Sequence, residues 1–179
     1  MSKYLAYSFL YDDASDLRCD FELLTDEISS MIGLLRSLLN EKDRAADPDL
    51  AEDLDRINEL MYHLNPSLRK GSAVTGEELE WLHGKTMALQ EAVKDGLPRG
   101  RDFTFVIPRG CIQAAWGHVI RCKCKMLVRL LSRYRQQGHP ADDILFDFAN
   151  LYAGYFYFLA LRLNKNQGLE EQPFTSRVY

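Results

Sequence analysis

His118, Arg121, Lys125 and Arg129 recur at spacings of three and four residues, so on a helix they share one face. Like charges at i,i+4 repel by about 0.2–0.5 kcal/mol per pair. A chain carries such a stack when an anion or an acidic helix stands opposite it. Two chemistries therefore fit: holding phosphate groups, or pairing with acids of the first helix such as Asp26 and Glu27. The residues leave both open. Metal binding is a weaker third reading. His118, Cys122 and Cys124 lie within two turns, but the two cysteines point about 200° apart on a helix and make a poor chelate, so no metal site is expected. No Ser/His/Asp set, Gly-rich phosphate loop or paired-carboxylate motif stands out.

The charge pattern sharpens the choice without making it. Between Asp12 and Glu59 there are fifteen acidic residues against five basic ones; between Arg99 and Arg135 there are nine basic residues and one acid, Asp102. Such segregation either pairs internally on folding or leaves a positive surface for an anionic ligand. The net charge of -4 argues against general nucleic-acid binding. With 179 residues, 46% of them hydrophobic, and only 11 Gly and 6 Pro, the chain suits one well-cored domain and not a many-turned β fold or a disordered chain. Four cysteines in such a chain read as reduced thiols, and neither a signal peptide nor a membrane span is apparent, since the apolar run Phe148 to Leu161 is short for a bilayer. A cytoplasmic protein is the expectation.

Five helices must position these groups, which makes an all-α five-helix bundle the expected fold. Phe21, Leu24, Ile28, Met31, Leu35 and Leu38 mark a first helix over 21–39. An acidic linker follows, and Asp47-Pro48 offers a cap and first-turn proline for a second helix to Leu64. Thr75 and Glu78 form a capping box for a third, ending at Val93. Phe103 to Ile107 is a short β-like run. The fourth helix covers about 111–137, with Ile112, Trp116, Val119, Ile120, Leu127, Leu130 and Leu131 as its apolar side. The fifth, about 141–164, is apolar on nearly every side, as a helix buried among several others or against a neighbouring subunit would be. The bundle spans 21–166, between an N-terminal segment 1–20 and a tail 167–179.

Three blocks in this order resemble the trimeric, propanediol-utilisation type of ATP:cob(I)alamin adenosyltransferases. Thr25-Asp-Glu-Ile-Ser-Ser-Met-Ile-Gly-Leu34 is similar to V-D-E-L-N-S-x-I-G-L. Phe105-Val-Ile-Pro-Arg-Gly110 followed by His118-Val-Ile-Arg121 and Cys124-Lys125 is similar to F-V-L-P-G-G and H-V-A-R-T-x-C-R-R-A-E. Asn150 through Asn164 is similar to N-R-L-S-D-Y-L-F-x-L-A-R-x-x-N. The resemblance implies a helical bundle that trimerises with active sites between subunits, ATP with Mg as cofactor, and cobalamin as the substrate that receives the adenosyl group. It further implies that Arg121 pairs with Asp26 at a subunit edge, that Lys125 and Asn150 serve catalysis, and that Phe105 helps displace the corrin's lower ligand.

The chain departs from the pattern in places. The family's N-terminal K-T-G-D-x-G loop has no counterpart, because no glycine precedes Gly33. The R-R-A-E segment reads Lys125-Met126-Leu127-Val128, so a lysine point charge stands where the family has an arginine fork. The expectation is that Arg109, Lys123, Lys125 and Arg129 bind the phosphates instead. The alternative is an inactive relative that binds a corrinoid, a nucleotide or a protein partner.

Overall fold

Asp16 sets the first helix by accepting the N–H of Arg18 on its carboxylate (3.0 Å), which satisfies one of the donors a helix start leaves free. The computed structural model describes residues 12–13, 15–94, 106–174 and 177. In it α1 runs Leu17–Ser37, α2 Glu41–Ala46, α3 Leu50–Leu64, α4 Ser67–Lys70, α5 Gly76–Val93, α6 Ile112–Gln136 and α7 Asp143–Asn166. The five long helices are the five the sequence predicts. The described residues hold no β-strand, only an isolated bridge between Val106 and Pro173.

The α1 seam is Phe21, Leu24, Ile28, Ile32, Leu35 and Leu39. It drifts from the expected Met31 and Leu38 because a straight helix turns once per 3.6 residues and not per 3.5. The acidic stretch after α1 is not a linker. Asn40 and Asp43 close a capping box there and start α2, while Gln167 donates to both side chains from the end of α7 (3.2 and 3.0 Å). Nor is Asp47 the N-cap of α3, a position Asp49 takes; it ends α2 instead. Its carboxylate accepts from Arg162 (2.9 Å) and Asn166 (2.9 Å), which ties the α2–α3 turn to α7. The Thr75–Glu78 capping box forms as expected.

The helices close around one large apolar cluster, and a smaller one of Val93, Val106 and Leu161 lies apart from it. Tyr152 on α7 reaches across the large one to donate its hydroxyl to the Ile57 carbonyl of α3 (2.9 Å). Among the described residues, α7 is the one helix long and apolar enough to cross a bilayer. Its apolar sides are instead taken up by α5 and α6, which explains a helix greasy all round inside a bundle. The apolar side expected for α6 is only partly right. Trp116 is half-buried and Ile120, Leu127, Leu130 and Leu131 are buried, but Ile112 and Val119 point outward with Met126.

Candidate functional site

The seam between α6 and α7 places the candidate residues. A Cβ at Gly117 would stand 3.1 Å from the Ala160 Cβ and 3.3 Å from the Phe156 carbonyl, so the helices approach closely there. At the far end Arg135 pairs with Asp143 (2.8 Å). The two contacts fix an antiparallel register in which residue numbers facing each other sum to about 275–280. His118 packs its ring against Tyr157 (centroids 6.3 Å apart) in the same register. Seven residues on from His118 comes Lys125, and seven back from Tyr157 comes Asn150. Seven residues are about two turns and about 10 Å of helix, so Lys125 and Asn150 come level on the same side of the seam. Both are exposed.

Arg121 lies between these pairs. Its guanidinium carbon is 5.5 Å from the centre of the Tyr157 ring, and its Nε is buried with no acceptor. His118 is 3% exposed, and neither of its ring nitrogens has a partner. This side of the molecule thus carries the Arg121 guanidinium and the exposed ammonium of Lys125, which makes no ion pair among the described residues, while the His118 ring is buried beneath them. Those are the features of a surface that receives an anion.

The other expected phosphate ligands are scattered within one protomer. Lys123 is two residues off the face, so it turns to α1 and pairs with Glu27 (2.6 Å). Here internal pairing with the acidic helix does hold, through Lys123 and not through Arg121 or Lys125. Arg129 borders a groove between α6 and α1, lined also by Asp20, Leu23, Glu27 and Met126. Arg109 precedes α6, about 20 Å of helix from Lys125, and donates to the side chain of Gln172. Asp26 and Arg121 do not meet within one protomer: Asp26 turns to α3, where it accepts from the Tyr62 hydroxyl (3.1 Å). Phe105 lies outside the described residues. Among those described, no three His, Cys, Asp or Glu side chains group closely enough to hold a metal, and none of the four cysteines is in a disulfide.

Sequence reasoning missed two residues here. Tyr157 shares the Asn150 face at helical spacing, and phasing would have found it. Asn164 was visible as a helix end and as the last residue of the third matching block, with no role attached; its side chain braces the segment ahead of α6 through residues more than 50 positions away.

The buried imidazole has a consequence for stability. Burial, reinforced by the nearby Arg121 charge, lowers the His118 pKa from 6.5 to about 4. The folded form therefore binds the proton less readily than the unfolded chain. Its contribution is complete above pH 6.5 and is lost as pH falls toward 4. Across that window the protein should lose roughly 3 kcal/mol through this group. Denaturant midpoints measured from pH 7 to pH 4 should show a slope that His118→Gln flattens. Equal slopes in both proteins would contradict a buried neutral imidazole.

Residues 15–163 match the family described as cobalamin adenosyltransferase. No curated protein matches the chain significantly. Among solved structures, a phenylalanine-to-alanine variant of a PduO-type ATP:corrinoid adenosyltransferase from Lactobacillus reuteri, complexed with cobalamin and ATP, superposes with a TM-score of 0.75 at 18% identity, over 90% of this chain and 88% of that one. An arginine-to-lysine variant of the PduO-type enzyme from the same organism, complexed with ATP, gives a TM-score of 0.74 at 20% identity, over 90% and 89%. At these identities the likeness speaks for a shared fold.

Proposed function

Because the chain belongs to the cobalamin adenosyltransferase family, we propose that it transfers the 5′-deoxyadenosyl group of ATP to a reduced corrinoid, at sites formed between subunits. One observation carries the reading to particular residues. Lys125 and Asn150 are both exposed and come level on the side of the α6–α7 seam that carries Arg121, and Lys125 makes no ion pair among the described residues.

Cobalt(I) of the reduced corrinoid attacks the 5′ carbon of ATP; the cobalt–carbon bond forms, the carbon–oxygen bond breaks, and triphosphate leaves with the bonding electron pair. The protein's work is positioning and charge. Lys125 offers a point charge to the phosphates, strongest where negative charge grows on the leaving oxygen. Asn150, with a donor and an acceptor, orients the nucleotide beside it. Arg129, at the rim of the α1–α6 groove, draws the polyphosphate toward this face; Arg109 and Lys123 reach it only if a neighbouring subunit presents them. Phe105 supplies apolar surface at the corrin's lower side. Mg²⁺, where it enters with ATP, would neutralise phosphate charge and would need no cage of protein ligands.

A homotrimer fits the surface. Leu23 and Leu34 on α1 and Ile112 (58% exposed), Val119 and Met126 (53% exposed) on α6 form an outward apolar strip that a second copy would cover. Asp26 and Arg121, apart within one protomer, would meet across that contact. Asp26→Asn or Arg121→Gln should then weaken assembly by about 2 kcal/mol or more per interface, because each leaves its partner unpaired. Sedimentation at falling protein concentration reads this; an unchanged trimer population would contradict the pair. A cytoplasmic protein, with no nucleic-acid or membrane partner, suits the cysteines left without disulfides and the acidic balance. Adding the protein to ATP and chemically reduced cobalamin under anaerobic conditions tests the function: the cob(I)alamin absorbance should give way to that of adenosylcobalamin. Binding of both ligands with no conversion would favour an inactive relative.

A further inference from the structure

The segment that leads into α6 is held from behind by the end of α7 and the tail beyond it. Asn164, 1% exposed, is the pivot. Its Oδ1 accepts the Cys111 N–H (3.0 Å), and its Nδ2 donates to the Arg109 carbonyl (2.9 Å) and to a Glu171 carboxylate oxygen (2.8 Å). Gly110 lies between the two backbone groups so gripped, with φ +120, and the amide of Asn164 fills the space a Cβ would need. The tail adds a second grip. The Ile107 N–H donates to the Gln172 carbonyl (2.9 Å), Val106 bridges to Pro173, and Arg109 donates to the Gln172 side chain. Gly168, at φ +71, turns the chain out of α7 so that the tail can run back.

Val106, Ile107 and Arg109 of one short segment, with Cys111 just after it, are thus held by one buried amide and by Gln172 and Pro173 of the tail, while Glu171 holds the amide. A plain connector into a helix needs no such bracing, since α6 already accepts its first bond through the Cys111 carbonyl. The braced segment is the direct continuation of Phe105. We propose that Asn164, with Glu171 and Gln172 of the tail, is a positioning residue that sets how the segment ahead of α6 meets the corrinoid. The inference rests on the adenosyl-transfer reading and gives the tail a role in it. The clamp lies at the opposite end of α6 from Arg129, and about 20 Å from Lys125, so its loss should touch the corrinoid half of the reaction and spare ATP.

The test compares the full-length protein, Asn164→Ala, and a chain ended after Gly168, which removes Glu171, Gln172 and Pro173 while leaving every helix in place. Hydrogen exchange should show at least a roughly 10-fold loss of protection at the Ile107 and Cys111 amides in Asn164→Ala, with α5 and the later turns of α6 keeping theirs. In the shortened chain Ile107 should lose protection and Cys111 keep more of it. In adenosylation assays both variants should lose about 10- to 100-fold in kcat/KM for cobalamin, with the KM for ATP within about twofold of the parent. Unchanged exchange at Ile107 and Cys111, or KM values for ATP and cobalamin that rise together, would overturn the proposal. A parent protein that neither binds cobalamin nor adenosylates it overturns the functional reading and this role with it. An active parent with equally active variants overturns only the clamp.

Discussion

Lys125→Ala should weaken ATP binding about 10- to 100-fold and leave the melting temperature where it was. The size follows from losing one charge-assisted contact to phosphate, about 1.5–3 kcal/mol. The unchanged stability follows from position: Lys125 is exposed on α6 and makes no ion pair among the described residues, and substitutions at such sites stay within about 0.5 kcal/mol. Removing the charge even relieves repulsion from Arg121 and Arg129 at i−4 and i+4. Lys125→Arg is the informative companion, because a planar fork grips phosphate at two points where an ammonium grips at one; ATP affinity should rise. Calorimetry with ATP, run beside thermal melts, reads both variants. An alanine variant that melts early would make the basic face structural, and one that binds ATP normally would move the phosphates elsewhere.

Gly110→Ala should be among the most damaging single substitutions in the chain. Its backbone sits at φ +120, and the new Cβ would stand 1.9 Å from the Asn164 Oδ1. The amide has to leave, and with it go its bonds to Cys111 and Arg109. Backbone strain of about 1–3 kcal/mol and two lost hydrogen bonds at about 1 kcal/mol each give roughly 3–5 kcal/mol. For a chain of this size that is a fall of about 10 °C in Tm. Gly84→Ala is the control. Gly84 lies inside α5 with open space where a Cβ would go, so helix propensity should raise stability by about 1 kcal/mol. Thermal melts of both decide the matter; a Gly110→Ala protein as stable as its parent would mean that the Asn164 contact is not needed to hold the segment.

Local signals in the sequence were enough for the bundle. The α1 seam, the Thr75–Glu78 box and the apolar fifth helix each depend on neighbours within a turn or two. The missed α2 had such a signal as well, in Asn40 and Asp43 three residues apart, masked by a run of charge that reads as a linker. What stayed out of reach depends on contacts far apart in the chain. Asp47 looks like the N-cap of α3 until Arg162, 115 residues on, is seen to hold it. His118 looks like one more member of an exposed basic face, yet it is buried against α7. Helical phasing alone would have turned Lys123 away from Lys125, because two residues on a helix differ by about 200°, and the Glu27 pair is the result. The pairing of acidic and basic thirds is accordingly divided, with Lys123 answered inside the protomer and Arg121, Lys125 and Arg129 left for something outside it.

The central claim is adenosyl transfer, and the fate of ATP tests it most directly. Incubating the protein with reduced cobalamin and ATP, then quantifying products by chromatography, should yield adenosylcobalamin and triphosphate in equal amounts, with both lowered together in Lys125→Ala. Conversion of ATP to ADP and phosphate, or no consumption of ATP while cobalamin is bound, would contradict it.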